Sequence, residues 1–370
     1  MKRPRWNSLI VLMVLALVAA ACGGDDEGQT GATGGGTTGA GGGTTGAGGD
    51  TELHLLAWSG EVPDSIVAQF EEQTGISVTL DTFDSNESMI AKLEAGATGY
   101  DVVEPSQYAV QILIHKGLLE ELDHSRLPSV GNLGEVFQDP SYDPGNQYSV
   151  PYVWGTTGLA YNDECVTEPV DSWAILWDPA YEGKIYMLDN MLAAYIAGLQ
   201  INGFDANSTD PAEIEQATQS LIEQKDLLAG YNSSDYPQLV DSGQACVVQA
   251  WGGGSMAKVV QKNPHVHFIL PKEGGTMWVD GFGIVKGAEN MDAAYQWLEF
   301  VLQAEVAAEV TNESGTATAI AAADALIDPD VRSNTAIYAP DEALANADFI
   351  LDPGEAMQYF QEGWTQVKAA

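Results

Sequence analysis

Trp278 and Asp280 stand two residues apart in Met277 to Val285, a segment that reads as a strand. Side chains at that spacing project to one face, so an indole and a carboxylate share a wall there. An aromatic face attracts a cation and packs its methylenes, and a buried ammonium needs an anionic partner. The pair therefore suits capture of a small organic cation. Nothing comparable points to catalysis. No Gly-x-Ser-x-Gly, His-Glu-x-x-His or Walker-A stretch occurs, and the scattered carboxylates single out no catalytic pair. The chain reads as a binding protein, not an enzyme, with no cofactor. His265 and His267 alternate on a strand and could face copper or zinc. With five histidines in all and no cysteine beside these two, a solvated strand face is the reading adopted, and no metal is assigned. Trp251-Gly252-Gly253-Gly254-Ser255 lacks a following Lys and reads as a tight turn beside a cleft.

The elements that must hold these residues alternate between strand and helix. Leu53 to Trp58 reads as a short buried strand, with Pro63 opening a helix that carries Ile66, Val67 and Phe70 on one face and stops at Gly75. Ile76 to Phe83 alternates as a strand, and Asp84 to Glu87 forms a capping box for the next helix. Tyr100 to Val103 is a third strand and Val110 to Leu122 a third helix. Three strands separated by helices predict a parallel α/β sheet, with ligand at the loops that begin at Trp58 and Glu104. Tyr148 to Tyr161 suits a connector. Asp178 to Asp189 and Ala245 to Trp251 read as strands of a second α/β unit, with helices at Met191 to Ile201 and Glu213 to Leu228. Tyr295 to Val310 reads as one amphipathic helix.

The ends and the charge place the chain outside the cytoplasm. Lys2, Arg3 and Arg5 precede an apolar run, Leu9 to Val18, too short to span a bilayer, and Ala19 to Ala21 lead into Cys22. This resembles a lipobox, with Ala19 where Leu is usual, so residues 1–22 are read as a lipoprotein signal and Cys22 as the lipidated residue. Residues 23–50, almost only Gly, Thr, Ala and acids, read as a flexible tether. The 53 acidic residues face 14 basic ones, of which three lie in the signal, so the mature chain carries a formal charge of −42. Nucleic acid is excluded as a partner. The charge reads as solubility or adaptation to a saline medium, and as a field that steers cations inward. Only Arg126 and Arg332 remain as arginines, a poor outfit for gripping anions. Cys165 and Cys246 suggest one disulfide, with two buried thiols as the alternative.

Taken in order, the segments resemble the polyamine-binding proteins of ABC transporters, the spermidine and putrescine receptors of the type II periplasmic-binding-protein fold. The matching stretches are Trp58-Ser59 with Val62-Pro63, Gln69-Phe70-Glu71, Ser85-Asn86-Glu87, Tyr100-Asp101-Val102-Val103 and Pro105-Ser106. They continue through Pro151-Tyr152-Val153-Trp154-Gly155, Ser172-Trp173, Tyr231-Asn232-Ser233 and Pro271 to Gly275 with Trp278 and Asp280. The resemblance implies two α/β lobes around a ligand cleft. Residues 51–160 would form the first lobe, with 281–330 returning to it, and 161–280 the second, with 331–370 returning to it. It implies an aromatic wall of Trp58, Tyr108, Trp251 and Trp278, a central acid at Asp280 and supporting hydroxyls at Ser106 and Ser233, with Ser59 beside Trp58. It also implies a monomer that hands its cargo to ABC permease subunits and is held to the membrane by its N-terminal lipid.

The chain departs from that pattern at one end. Asn190 and Ala193 stand where two acids grip the distal amine in the spermidine type, Glu61 and Thr316 replace tyrosines, and Ile350 replaces a glutamine. Glu61, Glu104 and Asp189 are the carboxylates available to compensate. Other readings are a receptor for a quaternary amine or a metal ion, and a sensor on the same fold without transport.

Overall fold

The computed structural model describes residues 50–96, 99–345 and 347–370, so the signal, Cys22 and all of the tether before Asp50 lie outside the described residues. Strand β1 (Glu52–Trp58) buries Leu53, Leu55, Leu56 and Ala57, as a strand covered on both faces must. Helix α1 (Asp64–Thr74) starts after Pro63 and ends at Gly75, whose φ of 73° lets its N–H reach Glu71 O. Strands β2 (Ser77–Phe83) and β3 (Val102–Val103) flank β1 in parallel. Helix α2 (Asn86–Glu94) is capped one residue later than the sequence suggests. Ser85 Oγ accepts from Ser88 N, and Asp84 lies outside the cap. Helix α3 (Gln107–His115) is displaced towards β3. It begins at once after the strand, and Gly117 at φ 66° turns the chain so that Leu118 N closes on Leu113 O at 2.9 Å.

Eight more strands complete the sheet: β4 (Ser149–Asn162), β5 (Ile185–Met187), β6 (Leu228–Tyr231), β7 (Val247–Trp251), β8 (Val266–Ile269), β9 (Thr276–Ile284), β10 (Ala317–Thr318) and β11 (Asp348–Phe349). The order β2-β1-β3-β9-β4-β7-β5-β6 contains two parallel trios, β2-β1-β3 and β7-β5-β6. Between them run the two long antiparallel strands β4 and β9. The carboxyl end of β9 pairs with β3, and the carboxyl half of β4 pairs with β7. The register of β4 on β9 shifts between Pro151 and Val153, opposite Gly281 and Asp280. Proline has no N–H for the ladder, and such a bulge re-aims the side chains beside it. Asp280 sits at that point.

Two long sequence elements prove shorter. Between Asp178 and Asp189 only Ile185–Met187 is strand, because Pro179 and Gly183 impose turns before it. The helix expected over Tyr295 to Val310 is two, Met291–Val301 and Ala304–Ser314. At the break Gln303 is extended, and Asn132 Nδ2 donates to the Leu302 carbonyl at 3.0 Å. The first of this pair buries Trp297, which meets Phe70 at 5.2 Å and Phe282 at 5.7 Å between ring centroids. Phe282 in turn meets Tyr152 at 4.8 Å. This aromatic chain ties α1 and the helix Met291–Val301 to the middle of β4 and β9. Cys165 and Cys246 form a disulfide, with Cα atoms 5.7 Å apart.

Candidate functional site

Three acids converge where β1 and β3 end against the bulge. β1 stops at Trp58, whose backbone N–H donates to Glu104 Oε2 at 3.0 Å. Glu104 directly follows β3 and is 0 % exposed. The turn between β1 and α1 carries Glu61. The start of α3 brings Ser106 into an isolated antiparallel bridge with Asp280, and Ser106 Oγ donates to Asp280 Oδ1 at 2.5 Å. Asn86, in the first turn of α2, orients that serine. Its Nδ2 donates to Ser106 Oγ at 3.0 Å, and its Oδ1 accepts from Ser106 N at 3.2 Å. The hydroxyl proton is thereby directed at Asp280.

No ion pair among the described residues engages Glu61, Glu104 or Asp280. Burial drives the Asp280 carboxyl up to about 7, with the Ser106 hydroxyl drawing it back. Burial first, then the Asp280 charge, pushes Glu61 and Glu104 well above the usual carboxylate range. Several polar atoms here are buried with no hydrogen-bond partner among the described residues: Glu61 Oε2, Glu104 Oε1, Tyr152 OH and the Trp58 and Trp278 Nε1 groups. Buried polar groups are ordinarily satisfied. This many unsatisfied together mark a place that can take up a hydrogen-bonding ligand.

The sheet fixes Trp58, Trp251 and Trp278, and α3 carries Tyr108. Trp278 pairs with Gly155 on β4, and any Cβ at Gly155 would collide with the indole ring, so the glycine is what lets the ring lie flat on β4. Trp58 packs on Phe83 at 4.6 Å. Tyr108 is buried on α3, its hydroxyl donating to Glu87 Oε1 at 3.2 Å. Trp251 ends β7 opposite Thr157, which also pairs with Thr276, two residues before Trp278. Its carbonyl accepts from Tyr236 OH at 3.1 Å. The glycines after it do more than turn: Gly253 at φ 82° and Gly254 at φ 50° lead into the helix Gly254–Lys262. Ser233 follows β6 with its Oγ buried and unpaired. Ser59 is exposed and uses its backbone N–H to reach Phe83 O at 3.2 Å.

Asp189 takes no part in the acid cluster's hydrogen bonds. Its Oδ1 accepts from Lys368 Nζ at 2.6 Å, and that ammonium lies 4.5 Å from the Tyr231 ring centre. The positions that depart from the polyamine pattern are likewise occupied with other tasks. Asn190 Oδ1 caps its helix through Ala193 N at 2.9 Å, and Ala193 O accepts from Gln249 Nε2 at 2.6 Å. Thr316 and Ile350 are buried. His265 and His267 both bond Asp163, each at 2.8 Å, and no group of three or more His, Cys, Asp and Glu able to hold a metal occurs among the described residues. Sequence reasoning gave too little weight to Asn86, Tyr152 and Gly155. All three lie inside the matching stretches Ser85 to Glu87 and Pro151 to Gly155, but their roles depend on contacts with α3 and β9.

Comparison with known proteins bears on what this arrangement receives. A family model described as bacterial extracellular solute-binding protein matches residues 65–339. The spermidine/putrescine-binding periplasmic protein of Escherichia coli (strain K12) is 33% identical over 319 residues, covering 86% of this chain and 91% of that one. Among solved structures, a putative spermidine/putrescine ABC transporter protein from Listeria monocytogenes superposes with a TM-score of 0.81 at 31% identity, covering 86% of this chain and 99% of that one. A lipoprotein of Treponema pallidum superposes at 0.77 with 30% identity, covering 85% and 99%.

Proposed function

We propose, for a chain that belongs to the bacterial extracellular solute-binding protein family, that Asp280, Glu61 and Glu104 receive the ammonium end of a polyamine-type cation for delivery to an ABC permease. One observation carries this reading: the buried Asp280 and Glu104 and the half-buried Glu61 have no ion-pair partner among the described residues, and two of the three keep an unpaired oxygen. A cationic ligand removes the conflict, since each buried charge gains the partner it lacks. The aromatic faces of Trp58 and Trp278 supply the cation–π surface, and Tyr108 and Trp251 extend the wall. Relatives that bind spermidine and putrescine, 33% identical across most of the chain, support the same cargo class.

The sheet supports a division into two lobes, each built on one parallel trio, with β4 and β9 crossing between them. We place the first lobe at 51–160 with 281–330 returning, and the second at 161–280 with 331–370 returning. The last helix, Met357–Ala369, suits the latter because its Gly363 lies against Tyr195 and Thr218. The protein acts as a monomeric, non-enzymatic receptor outside the cytoplasm, tethered through lipid on Cys22. Thermal melts with polyamines, betaines, amino acids and sugars test the function, because a ligand that binds only the folded state raises its stability. The reading expects diamines or polyamines to give the largest shift. A best ligand that is an anion or a neutral sugar overturns it.

A further inference from the structure

The amine reading leaves open how the site tells one ammonium from another, and the inference that follows rests on that reading. We infer that Glu61, Glu104 and Asp280 form a single three-acceptor socket that counts N–H donors, selecting a primary ammonium over its N-methylated forms. A primary ammonium presents three N–H donors and no acceptor. The socket presents three carboxyl groups. Glu104 Oε2 accepts from the Trp58 backbone, which leaves Glu104 Oε1 and Glu61 Oε2 without a partner among the described residues, and Asp280, whose Oδ1 accepts one bond from Ser106, supplies the third acceptor through its remaining lone pairs. Glu104 is 0 % exposed, so its unpaired oxygen is not in contact with bulk water. Tyr152, 1 % exposed on the facing strand, keeps an unpaired hydroxyl beside the same acids.

Glu61 is what makes the count three. Its carboxyl lies within reach of the charges of both Asp280 and Glu104, and no Lys, Arg or His forms an ion pair with any of them among the described residues. The far end of the ligand meets nothing equivalent, for Asp189 is held by Lys368 and Asn190 by its own helix. Selectivity must therefore reside at the acid socket. Each methyl group added to the nitrogen removes one donor and leaves one buried acceptor unpaired, which costs about tenfold in affinity or more.

The test uses putrescine, N,N′-dimethylputrescine and N,N,N′,N′-tetramethylputrescine, whose two ends are equivalent and offer three, two and one N–H donors. Calorimetric titration of the wild-type protein should show affinity falling about tenfold or more at each step. In Glu61→Leu, which removes the acceptor outright, putrescine should weaken by a similar factor, and the ratio between putrescine and its dimethyl form should shrink below about threefold. A wild-type ratio below about threefold overturns the inference and leaves the amine reading standing. So does a Glu61→Leu protein that keeps the wild-type ratio, because selectivity would then be steric. The wild-type series decides the matter alone if the variant does not fold. If no amine in the series binds, the amine reading falls and this inference with it.

Discussion

Replacing Asp280 by Asn should make the unliganded protein more stable and the ligand-bound protein less so. Asn keeps an oxygen to accept from Ser106 Oγ, so the bond to α3 survives. What disappears is a carboxyl that burial holds at about 7, against 3.8 in the unfolded chain. The folded state thus retains this proton over a range where the unfolded state has released it. Stability contributed by the protonated form is full below pH 4 and is lost as pH rises to about 7. About three units at 1.36 kcal/mol each gives up to about 4 kcal/mol of destabilisation above neutrality, absent at pH 4. The Asn variant should therefore match the wild type at pH 4 and melt several degrees higher at pH 8. Binding moves the other way. Removing one member of a buried charge pair costs about 2–5 kcal/mol, so a putrescine concentration that shifts the wild-type melt at pH 8 should leave the variant unmoved. Thermal and urea unfolding at both pH values, with and without ligand, measure all four states. A variant less stable than wild type at pH 8 without ligand, or one shifted equally by ligand, would refute the reasoning.

Three other outcomes follow from separate parts of the molecule. Gly155→Ala should displace the Trp278 indole that lies against it and weaken amine binding by at least the cation–π contribution, about 0.5–2 kcal/mol, in calorimetry. An unchanged affinity would mean the ring is not part of the site. Cys165 and Cys246, 81 residues apart in sequence, should resist alkylation in the denatured, non-reduced protein, and their replacement by Ala should lower stability by up to about 4–5 kcal/mol through loop entropy. Two titratable thiols would contradict the bond. Cys22→Ser should abolish membrane attachment after signal removal, and a variant that still sediments with membranes would rule out the lipid anchor.

Much of the first parallel trio was legible because its signals are local. Buried apolar runs mark β1 and β3, and Pro63 and Gly75 bracket α1 within a residue. The Trp278 and Asp280 pairing was equally legible, since alternation along a strand follows from backbone geometry. What escaped depended on partners distant in sequence. The split at Leu302, whose carbonyl accepts from Asn132, is announced by no proline or glycine. The order of the sheet, with β9 inserted beside β3 across more than 170 residues, leaves no trace in any one window. Glu104 and Glu61 were visible only as two candidates among many acids. Their meeting with Asp280 is set by the bulge at Pro151 and by Asn86, neither of which carries a charge.

Other buried acids in the same molecule show what a structural carboxylate looks like here. Asp143, 1 % exposed, accepts from the backbone N–H groups of Gln147, Tyr148 and Ser149 and from the Ser149 hydroxyl. Asp101, 2 % exposed, accepts from His54 N, Asn290 N and Asn290 Nδ2. Each closes a loop against a neighbouring element, and each has both oxygens engaged. A fold able to satisfy those two carboxylates so fully had the means to satisfy Glu104 and Glu61, or to replace them with apolar side chains at little cost. Instead the two stand beside Asp280, each with an oxygen unpaired, against a wall of tryptophan. Folding gains nothing from that arrangement, because like charges in a dry site raise one another's proton affinity and oppose burial. It becomes favourable when a cation enters, and the stability surrendered in the empty protein returns as binding free energy.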